Sequence, residues 1–322
     1  MKKVKLGNTN IYVSQIGFGV LTMGGSQLDL SLDEGAELIK YALSKGINFF
    51  DTAQYYETYP YMRKAFDETN ANPVICSKCL GHGYFEMRYA VREALEALDR
   101  EYIDIFLMHE VRPGEDRTGA WQYLLEAKEA GLVKAIGIST HHIDVVEEYM
   151  NHEDMDVIFP LINYDGLGIR KGDGPGTSEE MAEAIKNAAQ KGIGVFAMKV
   201  FGGGHLTCTY QKALNYVKNL EGISSMMIGF GKKIEIDNAI DYIDERMDKD
   251  YQPDVSLKKT YIEPGNCEGC GACIARCPNK ALYFNDEGFA AVNHDLCLTC
   301  GYCAPVCPVR AIILLETVKF FL

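Results

Sequence analysis

The sequence predicts a chain of two unequal parts, a (β/α)8 barrel followed by a small α+β domain rich in cysteine. Two observations lead to this prediction. From residue 31 to about 246, short β-branched or apolar runs alternate with longer amphipathic runs, which indicates alternating strands and helices. After that region, two cysteine runs of the same spacing begin 30 residues apart. The length of 322 residues suits a barrel with a small appended domain.

Eight strand–helix units can be counted, as a (β/α)8 barrel requires. The predicted strands are residues 15–20, 47–51, 74–78, 103–109, 135–139, 157–162, 195–200 and 225–229. The predicted helices are residues 33–45, 61–68, 88–100, 119–130, 143–151, 179–191, 210–219 and 236–246. A doubly wound sheet is the alternative, but no G-x-G-x-x-G motif follows the first strand. We therefore predict a barrel domain over residues 1–250.

A change in composition marks the end of the barrel. Residues 251–262 contain Pro253 and charges of both signs, and we predict that they form a linker. Residues 263–315 are predicted to form the second domain. Its two cysteine runs are separated by a turn-forming sequence at residues 285–288, which predicts a hairpin between them.

Eight of the eleven cysteines lie in two runs of the pattern C-x2-C-x2-C-x3-C-P. This is the spacing of bacterial ferredoxins with two [4Fe–4S] clusters, in which the first three cysteines of a run bind one cluster and the fourth binds the other. The predicted ligands of one cluster are Cys267, Cys270, Cys273 and Cys307. The predicted ligands of the other are Cys297, Cys300, Cys303 and Cys277.

Three alternatives compete with a ferredoxin-like iron–sulfur domain. A disulfide framework is typical of small secreted domains, but the N-terminus has no apolar export segment. Structural zinc usually takes its ligands as two separated pairs, which these runs do not match. A degenerate motif that holds no cluster is the third, although no cysteine of the pattern is missing. Free cysteines and clusters of this kind favour the reducing cytoplasm of an anaerobe.

The net charge and the hydropathy of the sequence limit the classes of molecule that the protein is expected to bind. The net charge of −13 disfavours nucleic acid and anionic membranes. No apolar run approaches the roughly 20 residues that span a bilayer. We therefore expect a small-molecule substrate, and a redox partner protein is a further possibility.

Four polar residues follow the predicted barrel strands, where enzymes of this architecture carry their chemistry. They are Asp51, Tyr56, Lys78 and His109. A buried Lys78 paired with Asp51 would keep its charge, and its proximity would lower the pKa of Tyr56. Tyr56 is then predicted to donate a proton to a carbonyl oxygen, while His109 holds that oxygen.

These residues stand in motifs that resemble the aldo-keto reductase family. The stretch Asp51-Thr-Ala-Gln-Tyr-Tyr56 is similar to its D-T-A-x-x-Y motif, and Leu107-Met-His109 lies where the family has its catalytic histidine. Residues 5–19 resemble its N-terminal hairpin. The resemblance covers about residues 3–246 and implies NAD(P)H-dependent reduction of aldehydes and ketones, with Tyr56 as the acid. Tyr55 is the alternative acid if the register is shifted by one.

The same resemblance implies a nicotinamide cofactor, with the choice between NAD and NADP open. The residues aligned with its binding site are Ser139, Thr140, Asn163, Met198, Lys199, Gly202, Gly203, Gly229, Lys232 and Asn238. Four positions depart from the family. Thr140 replaces an asparagine that follows the serine in most members. Phe159 replaces a glutamine that holds the carboxamide, Met198 replaces an aromatic that stacks on the ring, and Ile234 replaces an arginine that grips the 2′-phosphate.

Three functions follow from these observations. The first is a carbonyl reductase, or the reverse alcohol dehydrogenase, that uses NAD(P)H, while the ferredoxin domain transfers electrons or docks a redox partner. The second is a one-electron reductase in which the clusters feed a substrate or a different cofactor in the barrel mouth. The third is a non-catalytic electron-transfer subunit. A hydride carrier moves two electrons together and a [4Fe–4S] cluster moves one, so the sequence leaves their coupling open.

Overall fold

The computed structural model describes residues 1–25, 27–248, 251, 253, 258–263, 266–304, 306–309 and 311–316. The strands are β1 (Lys3–Lys5), β2 (Tyr12–Ser14), β3 (Ile16–Gly19), β4 (Phe49–Asp51), β5 (Val74–Cys79), β6 (Ile103–Met108), β7 (Val133–Thr140), β8 (Val157–Pro160), β9 (Arg170–Lys171), β10 (Gly174–Pro175), β11 (Gly194–Ala197), β12 (Ile223–Ile228), β13 (Lys258–Ile262), β14 (Leu282–Phe284), β15 (Ala290–Val292) and β16 (Ile312–Glu316). The helices are α1 (Leu32–Ser44), α2 (Tyr59–Thr69), α3 (Tyr84–Leu98), α4 (Thr118–Glu129), α5 (Ile143–Tyr149), α6 (Ser178–Gln190), α7 (Tyr210–Lys218), α8 (Lys233–Ile243) and α9 (Ala272–Arg276).

Eight parallel strands close a barrel in the order β3-β4-β5-β6-β7-β8-β11-β12, and β12 pairs with β3. The strands are buried on both faces, so they are apolar along nearly their whole length. In β6, for example, every residue is buried. The predicted (β/α)8 TIM-barrel fold is therefore confirmed.

Local capping sets the helix starts. Ser31 and Glu34 form a reciprocal capping box at α1, and Thr177 and Glu180 form another at α6. Helix α3 begins four residues before its predicted start. The Glu86 carboxylate accepts a hydrogen bond from the Gly83 amide at 2.9 Å, which stabilises this extra turn. Among the described residues, no helix combines the length and apolar character needed to cross a membrane.

The two ends of the barrel are covered differently. At the N-terminal end, the hairpin β1–β2 closes the barrel floor. The Asn8 amide donates to the Gly192 carbonyl at 2.7 Å, and the Ser14 amide donates to Asn48 Oδ1 at 2.7 Å. Gly192 and Asn48 lie just before β11 and β4, so the hairpin contacts the strand beginnings. The C-terminal end lies against the cysteine-rich domain.

The cysteine-rich domain is a small α+β unit, as predicted. It contains the antiparallel pairs β13–β16 and β14–β15 and the single-turn helix α9. The predicted turn at residues 285–288 is present, with the Gly288 amide donating to the Asn285 carbonyl at 3.0 Å. Strand β13 falls inside the predicted linker, 251–262, because it pairs with β16 from the far end of the chain. The domain boundaries given above otherwise stay a prediction.

Candidate active site

Four polar side chains meet at the C-terminal end of the barrel. Asp51 is the last residue of β4, Lys78 lies near the end of β5, and His109 directly follows β6. Tyr56 lies in a short 3-10 turn, Gln54–Tyr56, after β4. All four line one cavity of about 270 Å³. The structure thus brings the four predicted residues together, and their catalytic roles stay a prediction.

Asp51 and Lys78 form a buried ion pair at the base of this cavity. Lys78 Nζ lies 2.6 Å from Asp51 Oδ1, and it also donates to the Thr52 carbonyl at 2.6 Å. Lys78 is 1% exposed. Burial raises the pKa of Asp51, and the Lys78 ammonium opposes that rise. The pair places a fixed cation below the ring of Tyr56, whose centroid is 5.0 Å from Nζ.

The Tyr56 hydroxyl is protonated in this environment. Burial raises the pKa of Tyr56 well above its usual value, and the carboxylate of Asp51 raises it further. The expectation of a lowered pKa was therefore wrong, because the cost of desolvating the phenolate outweighs the stabilisation that the Lys78 cation supplies. A protonated phenol at the cavity wall still suits proton donation.

His109 is neutral and lies between two tyrosine hydroxyls. Burial lowers its pKa well below the usual value, with Lys78 and Arg276 contributing. Its Nε2 atom is 3.5 Å from the Tyr56 hydroxyl and 3.1 Å from the Tyr302 hydroxyl. The second contact is the better hydrogen bond by distance. The cysteine-rich domain therefore supplies the stronger partner of the barrel histidine.

Residues 297–302, which we call the capping segment, form one wall of the cavity. Its lining members are Leu298, Thr299, Cys300 and Tyr302. Tyr55, the alternative acid, does not line the cavity. Its hydroxyl instead donates to the Cys300 carbonyl at 3.4 Å. The structure thus favours Tyr56 over Tyr55 as the hydroxyl that faces a substrate.

Hydrogen bonds hold the capping segment against the barrel. Gln27 Nε2 donates to the Thr299 carbonyl at 3.1 Å, and His205 Nε2 lies 2.8 Å from the Cys297 carbonyl. The backbone of Leu298 packs directly on Gly203, where an added Cβ would lie 2.5 Å from the Leu298 oxygen. Glycine at position 203 therefore permits the close approach of the two domains.

A buried carboxylate joins the same two domains beside the cavity. Glu110 is fully buried, and its Oε2 lies 2.7 Å from an Arg276 guanidinium nitrogen. Its Oε1 accepts from Arg112 Nε at 2.9 Å. Arg112 also donates to the backbone carbonyls of Ala275 and Arg276. Burial raises the pKa of Glu110, and the two arginines oppose that rise.

The structure places some of the predicted nicotinamide contacts in the cavity and others outside it. Those that line the cavity of the four polar residues are Met198, Lys199, Gly203 and Gly229. Those that do not line it are Ser139, Thr140, Asn163, Gly202, Lys232 and Asn238. The first three of these are buried and bond to nearby backbone. Asn238 lies on α8 and donates to the Ile234 carbonyl at 2.7 Å.

The eight cysteines form two groups that cross the sequence runs. None of the eight forms a disulfide. Burial raises the pKa of Cys273, and the neighbouring Cys307, Cys267 and Cys270 raise it further. Cys303 is likewise surrounded by Cys300, Cys297 and Cys277, again with a raised pKa led by burial. We call these the outer set (Cys267, Cys270, Cys273, Cys307) and the inner set (Cys277, Cys297, Cys300, Cys303).

Each set suits a four-iron cluster. Among the described residues, no group of His, Cys, Asp or Glu side chains could hold a single metal ion, whereas a [4Fe–4S] cluster takes four thiolates spread around its own width. Backbone amides also point at ligand sulfurs. The Ala281 amide lies 3.3 Å from Cys277 Sγ, and the Ala311 amide lies 3.2 Å from Cys307 Sγ. The residues therefore fit two clusters, and the exact ligand assignment stays a prediction.

Sequence reasoning missed the contribution of the capping segment to the cavity. A signal was present in the alignment of the two cysteine runs. Position 302 is tyrosine in the second run, and the corresponding position 272 in the first run is alanine. A large residue with a hydroxyl between two ligands of the same cluster indicates a contact beyond the cluster. The same comparison does not reveal Glu110, which becomes notable only through its burial.

Comparisons with known proteins describe both parts of the chain. The sequence pattern of the Aldo/keto reductase family matches residues 15–250, and that of the 4Fe-4S dicluster domain matches residues 260–315. The "Probable aldo-keto reductase 1" of Glycine max is 32% identical over 176 residues, which is 45% of this chain and 47% of that protein. Methylglyoxal reductase DkgA of Escherichia coli O157:H7 is 27% identical over 256 residues, or 77% of this chain and 90% of that protein.

A solved structure agrees on the fold. An aldo-keto reductase of Bacillus halodurans, in its holo form, superposes with a TM-score of 0.62 at 18% identity. The superposition covers 76% of this chain and 94% of that one. At this identity the likeness shows the fold alone. The match to the soybean relative spans about half of that relative's length.

Proposed function

The chain belongs to the aldo/keto reductase family, and we propose that its barrel reduces the carbonyl group of a small molecule with electrons delivered through the fused iron–sulfur domain. One observation carries this proposal. Cys300, a predicted ligand of the inner cluster, lines the same cavity as Tyr56 and His109. A cluster held by the inner set would supply single electrons at the cavity wall.

The residues around the cavity supply the proton chemistry. Reduction of a carbonyl to an alcohol takes up two electrons and two protons. The protonated hydroxyl of Tyr56 donates one proton to the carbonyl oxygen, and solvent supplies the proton that goes to carbon. Neutral His109 holds the oxygen, and the Tyr302 hydroxyl fixes the orientation of its ring. The buried Lys78 stabilises negative charge that develops at Tyr56.

A nicotinamide dinucleotide fits this cavity poorly. The volume of about 270 Å³ is small beside the 300–1,000 Å³ of typical ligand pockets, and one side is closed by Leu298 on Gly203. Phe159, which replaces the family's carboxamide-binding glutamine, stacks on Phe196 with ring centroids 4.1 Å apart. NAD(P)H is therefore our second candidate reductant. It is favoured by Lys199 and Gly229, which line the cavity at aligned positions.

Anaerobic assays of the cluster-loaded protein test the proposal. Methylglyoxal is a suitable small probe, because it appears in the name of the Escherichia coli relative. With a reduced viologen dye as the one-electron donor, we expect Tyr56→Phe to lower the rate by about 100-fold or more, the usual share of a general acid. Tyr55→Phe is the matched control, with a smaller expected loss. The cluster route is refuted if NADPH alone drives full turnover in the Cys300→Ser variant.

A further inference from the structure

A second cavity lies between the barrel and the cysteine-rich domain. Its volume is about 480 Å³, and none of the four polar residues of the candidate active site lines it. Its walls come from the loop after β6, the residue before α5, the hairpin β9–β10 and the segment 275–280. Both domains are therefore needed to form it. This volume is within the range of small-molecule sites.

The charge of this cavity contrasts with that of the chain. Arg112, Arg170 and Lys280 line it, whereas Asp173 is the one carboxylate among its lining residues. The whole chain has a net charge of −13. A concave site in which cations outnumber carboxylates attracts anions, even on an acidic protein.

Two of the three cationic side chains, Arg170 and Lys280, have hydrogen-bond donors that are available to a ligand. Arg170 donates to the backbone carbonyl of Asp173, and within the described residues neither Arg170 nor Lys280 forms an ion pair. Arg112 is different, because it pairs with Glu110 and so stiffens the cavity wall. Lys280 has a left-handed backbone, with φ of 53°, which is uncommon for a residue other than glycine.

A buried histidine gives an independent indication of a ligand. His142 lines the cavity and is 8% exposed, and its Nδ1 atom has no hydrogen-bond partner within the part of the chain that the structure describes. A buried polar atom without a partner is costly, so native structures usually satisfy such atoms with protein, water or ligand. A ligand oxygen in the cavity would give His142 Nδ1 a hydrogen-bond partner.

We propose that this cavity binds the phosphate group of a small molecule, such as a phosphate ester or a diphosphate. The arginine guanidinium and the lysine ammonium carry donors and no acceptors, the neutral His142 donates from Nδ1 when that atom carries the proton, and a phosphate offers enough oxygens to engage them together. The inference does not depend on the source of electrons at the candidate active site.

The cations could instead act on the iron–sulfur cluster, and the experiment must distinguish that role from phosphate binding. Cys277, a predicted ligand of the inner cluster, also lines the cavity. Arg170 and Lys280 would in that case serve to offset the negative charge of the cluster. Their removal would then lower the reduction potential of the cluster and leave anion binding unchanged.

Calorimetric titration of the anaerobic, cluster-loaded protein with inorganic pyrophosphate tests the proposal. The double variant R170Q/K280Q is expected to bind at least about 10-fold more weakly, since it loses two charge-assisted contacts. The control K64Q/K186Q removes the same charge from helices that do not line the cavity, and binding is expected to stay within about 2-fold. Asp173→Asn is expected to tighten binding by about 2-fold, because it removes the lining carboxylate.

Cluster absorbance and reduction potential, measured on the same samples, complete the experiment. The proposal is overturned if the wild-type protein does not bind pyrophosphate at millimolar concentration. It is also overturned if R170Q/K280Q and K64Q/K186Q weaken binding equally, since the effect is then unspecific. A shifted potential with unchanged binding would assign the cations to the cluster instead.

Discussion

The two cysteine runs share one spacing but differ at the positions between their ligands. Where the first run has Glu268, Gly269 and Ala272, the second has Leu298, Thr299 and Tyr302. All three of these second-run residues contact the barrel. Leu298 packs on Gly203, Thr299 bonds to Gln27, and Tyr302 bonds to His109. The repeat has thus diverged into a half that faces the active site and a half that does not.

The solvent exposure of the cysteines also differs between the two halves of the repeat. In the outer set, Cys270 is exposed, whereas its counterpart Cys300 lines the cavity. An exposed ligand is accessible to a redox partner, and a ligand at the cavity wall is accessible to a substrate. We infer that electrons enter at the outer set and leave at the inner set. The following experiments test this comparison.

Removal of one ligand from each run should have the largest effect. Cys300→Ser and Cys270→Ser are each expected to lose one cluster, so that iron content falls by about half. Because only Cys300 faces the cavity, Cys300→Ser should lower viologen-driven turnover by at least about 100-fold, and Cys270→Ser by less than about 10-fold. Iron analysis and the anaerobic assay measure both. The reverse order of activities would contradict the comparison.

Breaking the buried pair between the domains should have the next largest effect. Arg276→Gln leaves the Glu110 carboxylate buried with one partner fewer, which is expected to cost about 3–5 kcal/mol in unfolding free energy. Arg246→Gln, which breaks an exposed pair with Asp241, should cost far less, because water and salt screen an exposed ion pair.

The pH dependence of this loss can be worked out from Glu110. Burial raises its pKa, and removal of Arg276 takes away one opposing charge. A carboxyl group with a raised pKa destabilises the fold when it is ionised, and this cost disappears as the pH falls through the folded-state pKa. The deficit of Arg276→Gln should therefore shrink at acid pH. Chemical unfolding at several pH values measures it, and a deficit that grows at acid pH would refute the assignment.

Tyr302→Phe should have a moderate effect on catalysis. It removes the hydroxyl that bonds to His109 at 3.1 Å and keeps the ring. Loss of one hydrogen bond of about 1 kcal/mol to a positioned side chain is expected to lower kcat by roughly 5- to 10-fold. Tyr283→Phe is the control, since Tyr283 is half exposed in the same domain. Equal rates in the two variants would show that the capping segment does not orient the histidine.

Relief of backbone strain should have the smallest effect. Thr299 has φ of 45°, whereas its counterpart in the first run is a glycine with φ of 66°. A β-branched residue in this region is strained, so Thr299→Gly is expected to stabilise the domain by about 1 kcal/mol. Gly269→Ala should destabilise it, because the added Cβ would lie 2.5 Å from the Gly288 carbonyl oxygen. Thermal unfolding, followed at the cluster absorbance band, measures the expected gain in stability for Thr299→Gly and the expected loss for Gly269→Ala.

Periodicity and local motifs were sufficient to predict the barrel and the meeting of Asp51, Tyr56, Lys78 and His109. Asp51, Lys78 and His109 lie at the ends of consecutive strands or directly after them, and Tyr56 lies in the turn after the first of these strands. A closed parallel sheet brings strand ends together. Two other features could not be predicted in this way. The raised pKa of Tyr56 depends on burial, and the contact of Tyr302 with His109 depends on how two domains pack. Strand β13 was missed because its partner β16 lies some 50 residues later in the chain.

The capping segment serves two purposes with the same six residues. It carries ligands of the inner set, and it forms a wall of the substrate cavity. Oxygen damage or incomplete iron loading at that set would therefore disorganise the substrate site as well as interrupt electron supply. Maturation of a cluster at that set would then act as a checkpoint, so that newly synthesised protein would acquire a finished active site only once its iron was in place.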